Sequence, residues 1–214
     1  MDFYHQIFGV ASFCIGLWGS TVYIASIFKG ETKPHVYTHL VWGIISGVAF
    51  AAQVYDHAGA GSWAIGLTAA ACLFQALLAL KYGEKNITPT DKIALLTALA
   101  AIAAWVITKD PLLSVVLASI IDVVAFYPTF RKSWSKPWEE NLSAYNIANV
   151  KLGLSVVAIG NFTLVTALFP VFCLVVNALF VVVCLWRRQA ISRSFPWCRE
   201  ARFTGGALTR AFNG

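Results

Sequence analysis

Seven times along this chain the sequence runs for close to a bilayer's width of helix with hardly a charge, and that repetition limits the fold more than any motif does. A helix rising 1.5 Å per residue needs about 20 predominantly apolar residues to cross a hydrocarbon core of roughly 30 Å. Runs of that size occupy residues 3–28, 36–55, 62–81, 92–108, 111–130, 142–160 and 162–187. A composition of 58% hydrophobic and 12% charged residues, against about a quarter charged in a soluble domain, excludes an ordinary soluble fold. The expectation is an all-α integral membrane protein with seven transmembrane helices over residues 1–188 and a disordered tail over 189–214, where no helical period survives. No basic n-region or A-x-A site precedes the first apolar run, which therefore reads as a retained helix rather than a cleaved signal.

Charge then orients the chain, because Lys and Arg collect in cytoplasmic loops. Alternate connections carry Lys29 and Lys33, then Lys81, Lys85 and Lys92, then Arg131, Lys132 and Lys136, and finally six arginines from Arg187 to Arg210. The opposite side holds only Lys109, and Lys151 lies inside a helix. The amino terminus is expected outside and the carboxyl terminus in the cytoplasm, in a cell membrane such as the bacterial inner membrane. A net charge of +6 distributed in this way signals topology and contact with anionic lipid, not nucleic-acid binding.

Turn chemistry supports the boundaries. Asp110-Pro111 separates helices four and five, Thr88-Pro89-Thr90-Asp91 opens the fourth, Asp56 to Ser62 forms a tight turn, and Gly160-Asn161-Phe162 divides the last two. Ser12, Gly16 and Ser20 make a small-residue stripe on the first helix, and Gly43 and Gly47 repeat the spacing on the second, which predicts a seam between these two. Trp42, Trp63, Trp134, Trp138 and Trp186 fall near helix ends and fit an interfacial belt, whereas Trp18 and Trp105 lie deeper.

The chemistry concentrates in the stretch from Ser119 to Lys151. One apolar helix carries the single intramembrane acid, Asp122, and the helix beyond the next loop carries Asn146, Asn149 and Lys151. An ionisable side chain near the bilayer centre costs roughly 2.5 to 3.5 kcal/mol on insertion scales and normally faces protein or water. Asp122 and Lys151 come at similar depth, so they read either as a static ion pair or as separate groups, with Asp122 exchanging a proton in a cavity lined by Asn146 and Asn149. Gln75 and Asn177 are further mid-membrane amides. Cysteines Cys14, Cys72, Cys173 and Cys184 read as small apolar fillers, and the four histidines show no metal spacing.

An internal repeat accompanies this pattern. Lys29, Lys33 and Pro34 match Lys132, Lys136 and Pro137 at an offset of about 103 residues, and Gln75 matches Asn177 at nearly the same offset. The expected plan is two parallel three-helix repeats, 1–81 and 111–188, joined by a linker helix at 92–108, an arrangement known among transporters.

The plan, with Tyr127-Pro128-Thr129-Phe130-Arg131-Lys132 followed by Lys136-Pro137 and Leu142-Ser143, resembles the PQ-loop and SWEET class of small seven-helix transporters. Thr129 stands where that class has its name-giving glutamine, and Tyr23-Ile24-Ala25 lacks both proline and glutamine. The resemblance implies a transporter of a small polar solute by alternating access, proton-coupled through Asp122, with Gln75 and Asn177 lining a central cavity. It implies no cofactor, and a homo-oligomer is open. The alternatives are a seven-helix receptor, which is not a retinal pigment because no lysine lies between Phe162 and Leu185, and a structural membrane protein. An intramembrane enzyme ranks last, since no catalytic constellation accompanies the lone acid.

Overall fold

A computed structural model describes residues 3–108 and 110–194. Lys109, Cys198 and most of the expected tail lie outside the described residues. Among those described, the chain forms seven α-helices and no strand: α1 (Phe3–Phe28), α2 (Val36–Tyr55), α3 (Trp63–Tyr82), α4 (Pro89–Thr108), α5 (Pro111–Ser135), α6 (Leu142–Val157) and α7 (Leu164–Ser194). Five are long and apolar enough to cross a membrane: α1, α2, α3 with the 3-10 turn ahead of it (Gly59–Tyr82), α5, and α7 to Ser192. At 16 residues, α6 spans only about 24 Å.

Local signals place the helix starts. Thr88 and Asp91 exchange bonds at the head of α4, the Thr88 N–H donating to Asp91 Oδ2 at 2.8 Å and the Asp91 N–H to Thr88 Oγ1 at 3.3 Å, a capping box with Pro89 in the first turn. Asp110 caps α5 by accepting from the Leu113 N–H at 2.9 Å, and Asn141 caps α6 by accepting from the Ala144 N–H at 3.1 Å. Three boundaries differ from expectation. α5 continues past residue 130 to Ser135, so Arg131 and Lys132 lie on the helix rather than in the loop. α6 ends at Val157 because the chain turns aside to pair with the α2–α3 loop, where the Gly160 N–H donates to the Ala58 carbonyl at 3.1 Å. α7 continues to Ser194, so residues 189–194 are helix, not tail.

Packing also departs from the expected seam between α1 and α2. α1 lies against α6 and α3, while α2 lies against α3 and α5. The small-residue stripe serves α6: Ser12 Oγ donates to the Lys151 carbonyl at 2.7 Å, and a Cβ on Gly16 would sit 2.7 Å from Lys151 Cδ. α7 packs on both α5 and α6, and α4 lies against α5 and α2.

Polarity is distributed inside out. Side chains turned outward include Ile7, Leu17, Leu77, Leu80, Leu179 and Val182, whereas Thr38, His39, Gln53, Asp122 and Lys151 are buried. That is the distribution a bilayer selects, because lipid solvates apolar surface and leaves polar groups to satisfy one another inside.

Loop contacts fix which connections share an end. Lys33 Nζ meets Glu139 Oε1 at 3.0 Å, Lys136 Nζ meets Glu84 Oε2 at 3.4 Å, and Arg188 Nη2 donates to the Pro137 carbonyl at 2.7 Å. These join the α1–α2, α3–α4 and α5–α6 loops and the end of α7. At the opposite end Asn161 Nδ2 donates to the Asp56 carbonyl at 3.0 Å, joining the α2–α3 and α6–α7 loops.

Candidate functional site: a charged cavity between six helices

Between the two ends lies a cavity of about 140 Å³, lined from α1, α2, α3, α5, α6 and α7. Among the described residues, none of α4 lines it. A void needs roughly 10 to 15 Å³ on this measure to hold one water, so there is room for several waters or one small solute.

Each helix contributes through its inward face. Asp122 comes from α5, where it shares one side with buried Ala118, Ser119 and Ala125, small residues that let neighbouring helices approach. It is 6% exposed and makes no ion pair among the described residues. The Trp42 indole N–H is within electrostatic reach of its carboxylate, though not in normal hydrogen-bond geometry. From α6 comes Lys151, 7% exposed, whose Nζ donates to Thr68 Oγ1 of α3 at 2.6 Å. Its stem passes over Gly16, where any Cβ would stand 2.7 Å from Lys151 Cδ, so this glycine is needed for the approach.

The amides Gln75 and Asn177 also line the cavity. Cys72 and Cys173 line it too, each within electrostatic range of both Asp122 and Lys151. Aromatic rings line the end nearer the basic loops. Trp42 packs on Phe126 at 4.9 Å between ring centroids and Tyr23 on Tyr145 at 6.5 Å. His39 is 5.4 Å from Trp42.

Four of the six expected site residues are therefore brought together: Gln75, Asp122, Lys151 and Asn177. The other two are not. Asn146 is exposed and Asn149 half-buried, and neither lines the cavity. On α6 the face that carries Ala144, Ala148 and Lys151 turns inward, which puts the asparagines on the flank. The static ion pair is also absent, since Asp122 and Lys151 do not bond to each other.

Residues that sequence reasoning passed over include His39, Trp42, Thr68, Tyr23, Tyr145, Cys72 and Cys173. Trp42 belongs to the cavity and not to an interfacial belt, and Trp18 is 60% exposed on the outer surface. Trp63, Trp134, Trp138 and Trp186 are exposed near helix ends, as expected.

Just past Tyr23 and Tyr145, toward the basic loops, Lys132 is buried against Glu140. Lys132 Nζ also donates to the Lys33 carbonyl at 2.6 Å. Burial pushes the Glu140 carboxyl above the usual range against the pull of Lys132. Nearby, Arg131 Nη2 holds Asp91 Oδ2 at 2.8 Å, with the buried His35 Nε2 3.4 Å from the same oxygen. Comparison of the chain with protein families, curated proteins and solved structures gives no match.

Proposed function

We propose that the chain is a membrane transporter of a small polar solute, working by alternating access between two parallel three-helix units, α1–α3 and α5–α7, with α4 as linker. The observation that carries this is the cavity: about 140 Å³, mainly apolar but holding Asp122, Lys151, Gln75 and Asn177, and lined from all six helices of the two units, with none of the described linker residues among its lining. A structural protein has no use for buried unpaired charge, which costs free energy unless a ligand or water meets it.

The packing supports the repeat. Exchanging α1 with α5, α2 with α6 and α3 with α7 turns each neighbouring pair into another neighbouring pair: α1/α3 into α5/α7, α2/α3 into α6/α7, α1/α6 into α5/α2, and α2/α7 into α6/α3. The aromatic pairs follow the same exchange at the offset of about 103 residues, which takes Tyr23–Tyr145 to Phe126–Trp42. On this reading Asp122 is the group that carries a proton or a cationic part of the solute, and Gln75 and Asn177 give hydrogen bonds from matching places in the two units. The basic loops face the cytoplasm, as the positive-inside rule requires.

Cys72 and Cys173 allow a test that needs no known solute. In a variant with Cys14, Cys184 and Cys198 replaced by serine, a membrane-impermeant maleimide should label the cavity thiols when applied to either face, because alternating access opens the site to each in turn. Labelling from one face alone would fit a receptor. No labelling from either face would remove the transporter reading.

A further inference from the structure

Among the described residues the buried charges fall into two groups. Glu84, Asp91, Lys132 and Glu140 each have an opposite charge within ion-pair distance, namely Lys136, Arg131, Glu140 and Lys132. Asp122 and Lys151 are as deeply buried as these, at 6% and 7% exposure. Neither makes an ion pair, although they line the same cavity from α5 and α6. Lys151 has one neutral acceptor, Thr68 Oγ1, for an ammonium with three donors. Every other buried charge among the described residues is paired, and these two face one small space.

Charge removed from water is tolerated when it is paired and hydrogen-bonded. A neutral solute would leave both groups uncompensated, and a singly charged one would leave the other. A molecule carrying both signs compensates the two at once. The lining between them is suited to such a molecule, with amides on Gln75 and Asn177 and the indole N–H of Trp42 beside the acid.

Resting on the transporter reading of this cavity, we propose that its solute is a small zwitterion, an amino acid with its ammonium on Asp122 and its carboxylate on Lys151. A cavity of about 140 Å³ is on the scale of a free amino acid.

Protection of Cys72 and Cys173 from maleimide measures occupancy directly, independently of transport. The probes are glycine, β-alanine, γ-aminobutyrate, leucine and tryptophan, which vary charge separation and size, together with leucine methyl ester, N-acetyl-leucine and glucose. At least one amino acid should protect, with its ester and N-acetyl forms weaker by about tenfold or more, because a site built for a polar group rejects the analogue lacking it. Lys151→Met should abolish the preference over the ester, and Asp122→Asn the preference over the N-acetyl form.

Protection by glucose and by no amino acid would overturn the zwitterion while leaving the transporter intact. So would equal protection by all three leucine forms in the unmodified cavity, a result that needs no variant to fold. Thiols that react from both faces with no amino acid protecting would also overturn it, whereas thiols that never react would overturn the transporter reading itself.

Discussion

Asp122→Asn separates a carboxylate that works from one that only holds helices together. Were Asp122 locked to Lys151, its neutralisation would strand a buried ammonium at a cost of about 3 to 5 kcal/mol. At roughly 2 to 4 °C per kcal/mol for a chain of this size, melting would fall by about 6 to 20 °C. The structure has no such pair: Lys151 Nζ bonds to Thr68 at 2.6 Å, and the neighbour of Asp122 is the Trp42 N–H, for which an asparagine oxygen is an equal acceptor. The expected loss is thus at most about 1 kcal/mol, a shift within about 4 °C. Function should respond differently, because a hydrogen bond to a charged group contributes about 1.5 to 3 kcal/mol, equivalent to about ten- to hundredfold in affinity. Melting of the purified variant in detergent, measured beside proton-driven uptake of the amino-acid series into proteoliposomes, gives both quantities. A melting loss of 6 °C or more would refute the argument, and so would a stable variant with undiminished uptake.

Three further outcomes follow from the packing. Glu140→Gln leaves Lys132 buried with only carbonyl oxygens and the neutral amide, and should destabilise the protein by about 3 kcal/mol, readable as a fall in melting temperature that Lys132→Met combined with Glu140→Gln partly restores. Burial holds the His35 imidazole below its ordinary 6.5 despite the pull of Asp91, with Arg131 and Lys132 adding to the depression; the unfolded chain therefore binds this proton first as pH falls below about 6.5, and His35→Asn should lessen the loss of melting temperature on acidification to the folded-state value. Gly61→Ala places a methyl 2.9 Å from the Ile159 Cα and amide nitrogen, which cannot give way as a flexible side chain would; overpacking of this kind costs about 1 to 3 kcal/mol, whereas Gly47→Ala, with nothing within 4 Å, should melt with the parent.

The helix boundaries were legible because each rests on local chemistry. Pro89, Asp110 and Asn141 act within one turn of their own position, and hydrophobic runs need no tertiary information. The α6 terminus was not, since it depends on a hydrogen bond to Ala58, about a hundred residues earlier in the chain. The same distinction holds in the cavity. Asp122, Lys151, Gln75 and Asn177 stand out as polar residues in apolar runs, but their rotation about the helix axis is set by neighbours, and on α6 a choice of face decides between Lys151 and the two asparagines. Trp42 and His39 were overlooked because proximity to a helix end suggested the interface. The signal that could have found Trp42 was the repeat offset, which pairs it with Tyr145 as it pairs Lys33 with Lys136.

The two ends of the bundle are held together by different physics, and on the transporter reading this bears on which parts more readily. At the basic end the outer fastenings are Lys33–Glu139, with side chains 46% and 26% exposed, and Lys136–Glu84, with side chains 49% and 8% exposed. The exposed Lys33–Glu139 pair contributes about 0 to 1 kcal/mol, and water replaces it when it parts, while Lys136–Glu84 is exposed on its lysine side. The buried Lys132–Glu140 pair is harder to separate, yet both groups become hydrated once the loops move. At the other end the backbone itself is interlocked: Gly61 and Gly9 admit Ile159 and Ala60 at distances that no Cβ could share, Ser155 Oγ donates to the Gly61 carbonyl at 2.7 Å, and Gln53 Nε2 to the Thr166 carbonyl at 2.7 Å. Opening there loses close packing that neither water nor lipid headgroups restore. Maleimide should accordingly reach Cys72 and Cys173 faster from the face bearing the basic loops, and salt should widen the difference, since it screens the exposed pairs and leaves the packed end unaffected. Faster labelling from the Asp56 face, or rates unmoved by salt at the basic face, would mean that the ion pairs are not what holds that end shut.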